Sequence, residues 1–282
     1  MPASPTIHRT VDDLRAAVSA WRREGLRVGM VPTMGALHSG HMELVRAARE
    51  RADRIIVTIF VNPTQFAPTE DFGAYPRTEA SDVAKLAELG VEAVFAPNAN
   101  EMYPAGYATT VSLAGPAIGL ETDFRPHFFS GVATVVSKLL IAGFPDVAMF
   151  GEKDYQQLMV VRQMVRDLRL PTEIIGLPTI READGLALSS RNAYLSPEER
   201  QTATTISRAM RQAAELVRAG GSVEAALAEG RAALTEAGFR VDYLVLRNAE
   251  TLAELANPAI EPRRMLAAAW LGKTRLIDNI AV

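Results

Sequence analysis

The chain has 282 residues, 48% apolar and 22% charged, with a formal net charge of −3. That length can bury one large core or two, the composition is that of an ordinary globular enzyme, and no broad basic field exists to hold a nucleic-acid backbone. The absence of cysteine excludes disulfides, thiolate nucleophiles and Cys-ligated zinc, and a cytoplasmic location is expected.

The N-terminal residues carry no apolar signal-peptide core. They read as an amphipathic helix with Thr10 as N-cap, Asp12 and Asp13 in the first turn, and Leu14, Ala17, Val18 and Trp21 on one face. Val28–Pro32 is a short strand, and Ser39–Ala52 a helix with Met42, Val45, Ala48 and Ala52 near one face. Arg54–Asn62 is continuously apolar until its end, as expected of a strand buried on both faces of a parallel sheet. Thr78–Leu89 reads as a helix closed by Gly90, and Val91–Pro97 as a strand. Gly131–Ala142 reads as a buried helix; its apolar run holds Lys138 and is too short to cross a bilayer, so no membrane partner is expected.

Asp146–Phe150 is the next strand. Asp154–Leu168 follows as a helix with Leu158, Val161, Val165 and Leu168 inward, then Thr172–Pro178 as a strand. Strands alternating with helices predict right-handed crossovers: an α/β, Rossmann-like, doubly wound parallel sheet over residues 1–178. The rhythm then changes. Ile180–Ser190 reads as a hairpin-like segment turning at Asp184-Gly185. Ser196-Pro197-Glu198-Glu199 is a helix start, and one long helix is expected to run to about Arg218. A second helix follows Gly220-Gly221, and strands are expected at Phe239–Asn248 and Thr274–Val282. These residues, 179–282, form a smaller C-terminal α+β domain.

Four segments concentrate chemistry at predicted strand ends, where open α/β sheets bind ligands. The first, "VPTMGALHSGH", sets two of the chain's four histidines, His38 and His41, at a strand-to-helix turn with Gly35 and Gly40. A helix N-terminus there favours phosphate, and an imidazole can donate to a phosphate oxygen. Zinc would need further ligands that the neighbourhood lacks. On spacing alone, the pair also fits two ordinary histidines at a helix start. "FVNPTQF", Phe60–Phe66, brings Asn62 and Gln65 to a strand end, either as donors to a small hydroxy acid or as plain turn residues. "FGEKDYQQL" clusters Glu152, Lys153 and Asp154, where Lys153 could face phosphate and Asp154 ribose, or the trio could be a solvated loop. "LALSSRN" offers Ser189, Ser190 and Arg191 as a phosphate clamp, or as a strand cap.

With "PTMGALHSGH", "FVNPTQF", "SGVATVVSKLL", "FGEKDYQQL" and "LALSSRN" in this order, the chain resembles the pantothenate synthetase (pantoate–β-alanine ligase) family along nearly its whole length. That family is related in fold to class I aminoacyl-tRNA synthetases and other HxGH nucleotidyltransferases; the motif here is His38-Ser39-Gly40-His41. The resemblance implies an ATP site of Met34, Gly35, Ala36, Leu37, His38, Ser39, Gly40 and His41, with His38 and His41 on the phosphates. It adds Gly151, Glu152, Lys153 and Asp154, with Ile180 and Leu188 beside adenine. Ser189, Ser190 and Arg191 close on the phosphates. His41, His38, Lys153 and Arg191 are the implied catalytic groups, and Gln65 and Gln157 hold pantoate. The middle region departs from the family pattern R-P-x-H-F-x-G-V: in Arg125-Pro126-His127-Phe128 the histidine comes one place early. No substrate role is therefore carried to His127.

The implied reaction has two steps. Pantoate carboxylate attacks the α-phosphorus of ATP, giving pantoyl adenylate and pyrophosphate, and the amine of β-alanine then displaces AMP. A carboxylate of pKa about 4 is already ionised, so the first step needs alignment and charge stabilisation rather than a base. Mg²⁺ on the polyphosphate, a homodimer and closure of the smaller domain as a lid are implied as well; the metal's ligands are not. Three alternatives compete. A nucleotidyltransferase acting on a phosphorylated cofactor precursor would need more cationic groups. A tRNA ligase is disfavoured by the acidic balance, and an ATP sensor without chemistry by the presence of all four segments.

Overall fold

The computed structural model describes residues 4–66, 73 and 75–282. The chain separates into two compact units, one of Met1–Gly151 and Val160–Leu177, the other of Glu152–Met159 and Pro178–Val282.

The first unit is built on a six-stranded parallel sheet. Its strands are β1 (Thr6–His8), β2 (Val28–Thr33), β3 (Arg54–Ile59), β4 (Ala93–Phe95), β5 (Val147–Gly151) and β6 (Glu173–Leu177), in the order β1-β4-β3-β2-β5-β6. The α/β reading is thus borne out. Chain order reverses between β2 and β5, so a topological switch point lies where those strands end. The helices of this stretch are α1 (Val11–Arg23), α2 (Ser39–Arg49), α3 (Glu79–Glu88), α4 (Ala99–Met102), α5 (Glu121–Phe124), α6 (Phe128–Gly143) and α7 (Tyr155–Asp167), whose first residues group with the second unit. Val31, Ile55 and Val57 pack with Val45, Ala48 and Leu86 on one sheet face. Their neighbours Met30 and Ile56, equally buried, face the other way: a Cβ on Gly143 of α6 would lie 2.3 Å from Met30 Cε and 3.6 Å from Leu14 Cδ2. Alternate residues buried on opposite faces are why these strands read as unbroken apolar runs.

The second unit holds an antiparallel sheet of β7 (Arg240–Asn248), β8 (Arg263–Leu271) and β9 (Thr274–Ala281), packed with α9 (Thr205–Arg218) and α10 (Val223–Glu236), after the short α8 (Pro197–Thr202). Its core joins Ile206, Met210 and Val217 to Leu244, Met265 and Leu276.

Several expectations need correction. Ser196 caps its helix as predicted, with the reciprocal Glu199 bond. The helix nevertheless breaks at Ala203-Thr204, where the Thr204 hydroxyl donates to the Gln201 carbonyl, and restarts as α9. Leu168 is 47% exposed: α7 stops at Asp167 and Arg169 takes φ 51°, so this side chain leaves the inward face. Strands β1 and β8 were not anticipated, and β3 ends at Ile59, before Asn62.

Candidate active site

Two predicted segments of the first unit, and the first residues of a third, leave the carboxyl ends of adjoining strands. β2 pairs with both β3 and β5, so the turn after Thr33, the segment after Ile59 and Gly151 share one rim of the sheet.

The turn Met34–His41 is held from behind by α3. The buried Asp82 carboxylate accepts from the Ala36 and Leu37 amides, both at 2.9 Å, and from the Thr78 hydroxyl at 3.0 Å. Lys85 donates to the Leu37 carbonyl at 2.7 Å. Gly35 has φ 85° and Ala36 φ 50°, so the chain bends through two left-handed residues before α2. Asp82 was missed by sequence reasoning. An acidic residue inside a helix pattern reads as solvent-facing unless the amides it must accept are known.

His38 is the N-cap of α2. Its Nδ1 accepts from the Gly40 amide at 3.1 Å, while Nδ1 of His41 accepts from the His38 amide at 3.3 Å. The two imidazoles thus form a capping box, and their ring centroids lie 4.1 Å apart. An acceptor Nδ1 places the proton of a neutral imidazole on Nε2, giving both rings the same tautomer. Gly40 makes room for this: a Cβ there would sit 2.9 Å from His38 Cε1 and 3.0 Å from Nδ1. The histidines are therefore structural caps, and the same geometry makes each ring an Nε2–H donor.

Beyond β3, Pro63–Gln65 is a 3₁₀ turn capped by Asn62, whose side chain is wholly buried. Asn62 donates to Gln65 Oε1 at 3.0 Å, and Arg125 donates to the Gln65 carbonyl at 3.1 Å. Gly131 of α6 passes so close that a Cβ would lie 2.5 Å from the Thr64 oxygen. His127 is exposed at the start of α6, and Phe128, in the family's histidine position, lies under the Arg125 guanidinium at 3.8 Å.

In the second unit, Glu152–Asp154 is a 3₁₀ turn leading into α7, with Gln157 in the helix's first turn. Asn279 of β9 donates to the Glu152 carbonyl at 2.8 Å and the Lys153 carbonyl at 2.9 Å, and is fixed by Arg264 Nε at 2.7 Å. Arg264 also holds the Glu152 carboxylate at 2.8 Å and lies over the Tyr155 ring. Lys153 is 3.8 Å from Asp154, a loose pair.

The hairpin is smaller than expected, a single bridge between Arg181 and Ala187, with Gly185 at φ 90° in its turn. Arg200 clasps Glu182 and Asp184 at 2.8 and 2.7 Å; its hydrogen bond holds the Asp184 carboxyl below the usual range. Leu188 donates to the Ile180 carbonyl at 2.9 Å, bringing those two residues side by side. Ser189 caps the 3₁₀ turn Ser190–Tyr194 by accepting from the Arg191 amide, and Ser190 and Arg191 are exposed. Arg181 runs back to Asp278, the neighbour of Asn279, so β9 gathers both segments. The run "LIDN" gave no warning of this, because its polar pair acts only once folded.

Among the described residues no three His, Asp or Glu side chains group as a metal cage, and no helix is long and apolar enough to cross a membrane.

A family model described as "Pantoate-beta-alanine ligase" matches residues 6–281. A pantothenate synthetase of Rhodopseudomonas palustris is 57% identical over 283 residues, covering 100% of both chains; one of Caulobacter vibrioides is 58% identical over 282 residues, covering 99% of each. Among solved structures, a pantothenate synthetase of Thermus thermophilus superposes with a TM-score of 0.91 at 49% identity, over 97% of this chain and 98% of that one. A pantoate-beta-alanine ligase of Francisella tularensis, complexed with β-γ ATP and β-alanine, gives 0.82 at 34% identity, over 98% and 97%. With matches of this extent and a turn of paired histidines at the sheet's switch point, the chain belongs to the pantoate-beta-alanine ligase family.

Proposed function

We infer that this chain is an ATP-dependent ligase that condenses pantoate with β-alanine to form pantothenate. The family match along residues 6–281 carries that conclusion. The reaction proceeds through pantoyl adenylate, with release of pyrophosphate and then AMP. The rim where β2, β3 and β5 end supports this order of events, because a nucleotide and a small acid can be aligned there without a general base.

Residues Met34 to His41 and Gly151 to Asp154 bind ATP, together with Ile180, Leu188, Ser189, Ser190 and Arg191. His38 and His41 donate through Nε2 to phosphate oxygens. Lys153 and Arg191 stabilise charge that develops on the leaving pyrophosphate, and Gln65 and Gln157 hold pantoate. What supports these assignments is the capping box, which fixes the histidine tautomers, and the amide of Gln65, whose oxygen is already engaged by Asn62. Losing one charge-stabilising donor costs on the order of 3 kcal/mol, about a hundredfold in rate. Mg²⁺ enters as the magnesium complex of ATP: the described residues form no carboxylate cage for it, and such ions are usually held by substrate phosphates and water. Ser189–Arg191 serves as the loop that closes on the phosphates. The enzyme acts in the cytoplasm, which its lack of cysteine fits, and as a homodimer, which the resemblance implies.

Exchange of labelled pyrophosphate into ATP tests the scheme. It should depend on pantoate and proceed without β-alanine. Exchange that requires β-alanine would remove the adenylate, and failure to form pantothenate would remove the assigned reaction.

A further inference from the structure

Gln65 can hold an acid only if its amide presents the correct end. Its Oε1 accepts from Asn62 Nδ2 at 3.0 Å, which leaves the NH₂ as the ligand-facing group, a donor suited to carboxylate and hydroxyl oxygens. The question then moves one residue back. Asn62 is wholly buried, so its orientation depends entirely on its partners. Nδ2 donates to Gln65 and to the Gly131 carbonyl at 3.3 Å. Oδ1 accepts from the Thr64 amide at 3.3 Å, the Thr64 hydroxyl at 3.0 Å and the Tyr103 hydroxyl at 2.8 Å. Thr64 is a neighbour in the same turn and would move with it. Tyr103 comes from beyond α4, forty-one residues away in sequence; with the Gly131 carbonyl of α6 on Nδ2, it anchors Asn62 from another element, and it is the anchor on the Oδ1 side.

Tyr103 is built to stay where it is. Its ring lies 6.3 Å from the Phe60 ring and meets Tyr107 edge-on at 5.1 Å. The Lys138 ammonium sits 5.2 Å from the Tyr103 centroid and 4.3 Å from that of Tyr107. Lys138 makes no ion pair among the described residues, and burial lowers its pKa. It acts as a cationic seat for the two aromatic faces. Burial raises the Tyr103 pKa above its ordinary value, so the hydroxyl keeps its proton and donates at neutral pH.

We propose that Tyr103 is a positioning residue for the acid substrate: through Asn62, its hydroxyl sets the direction in which Gln65 presents its amide. This rests on the reading that Gln65 holds pantoate. Tyr103 touches no reacting atom and works at two removes.

Tyr103→Phe keeps the ring and removes the hydroxyl. The expected result is a KM for pantoate raised about tenfold, with KM for ATP unchanged and only the small loss of Tm that one internal hydrogen bond brings. Tyr107→Phe is the control, because the buried Tyr107 hydroxyl has no hydrogen-bond partner among the described residues; it should leave both KM values alone. Gln65→Ala should raise KM for pantoate at least as far, and Tyr103→Phe should add nothing on that background. In the ligand-free protein, the side-chain amide NMR signals of Asn62 and Gln65 should shift in Tyr103→Phe and not in Tyr107→Phe.

The proposal is overturned if Gln65→Ala weakens pantoate while Tyr103→Phe does not, or if the two effects add in full. Should Gln65→Ala itself be silent, the assignment of pantoate to Gln65 fails, and the amide signals alone decide the link. Their movement then upholds Tyr103 as the determinant of Gln65 orientation; their constancy removes it.

Discussion

Asp278 accepts both terminal nitrogens of Arg181, at 2.7 and 2.8 Å, from a side chain with no solvent exposure. The pair ties the last strand to the segment that leads into Ser189–Arg191. Asp278→Asn would leave a guanidinium without its counter-charge, and breaking a buried pair from one side costs about 3 kcal/mol or more. Urea unfolding should show a lower midpoint with an unchanged slope. A midpoint like that of the wild type would mean that the pair adds no net stability.

His38 caps α2, and substitutions can separate that cap from the phosphate-donor role proposed for its Nε2. His38→Ala removes an N-cap, at a cost of about 1 kcal/mol, together with the Nε2 donor. His38→Asn restores the cap, since asparagine is a favoured N-cap residue, but not the donor. Tm should recover in the asparagine variant while kcat remains low. Recovery of both would reduce His38 to a helix cap.

Gly131→Ala tests the contact between α6 and the turn at Pro63–Gln65. A Cβ would lie 2.5 Å from Thr64 O and 2.8 Å from its carbonyl carbon, both backbone atoms that cannot rotate aside. Overpacking of this kind costs about 1–3 kcal/mol. Because the displaced turn carries Gln65, KM for pantoate should rise more than KM for ATP. An unchanged pantoate KM would show that the turn is not coupled to the acid site.

Arg9 grips Glu79 with two hydrogen bonds, of 2.5 and 2.7 Å, joining the end of β1 to the start of α3. The Arg9 hydrogen bond, ahead of simple charge attraction, holds the Glu79 carboxyl below its usual range. A depressed carboxylate pKa contributes stability above the unfolded value, about 4.3, and loses it as pH falls through the lower folded value. The gap between wild type and Glu79→Gln, measured by urea midpoints, should therefore be small and steady near neutrality and close below about pH 4. A gap that persists in acid would point to packing instead of charge.

What sequence revealed and what it hid follow the range of the interactions concerned. Thr10, Ser196 and Gly90 act on their own helices, and each does so as local chemistry predicts. The unbroken apolar runs of the parallel sheet were equally plain, because both faces of β2 and β3 are covered. Strand β8 stayed hidden: Ala267, Ala268 and Ala269 prefer helices, and only pairing with β7 and β9 on both sides makes them a strand. The site shows the same division. The histidine turn and the strand-end amides were visible as motifs. Asp82, Asn279, Asp278 and Tyr103, which hold those motifs in place, act across 45, 126, 97 and 41 residues of sequence. Nothing local marks a residue for that work.

The imidazole caps of α2 make proton placement a product of folding. In a disordered chain each ring exchanges its hydrogen between two nitrogens; once the first turn of the helix closes, one choice survives. Both Nε2–H donors are then set before any ligand arrives. The dependence also runs in reverse, since fraying of that single turn would erase the selection in both rings at once.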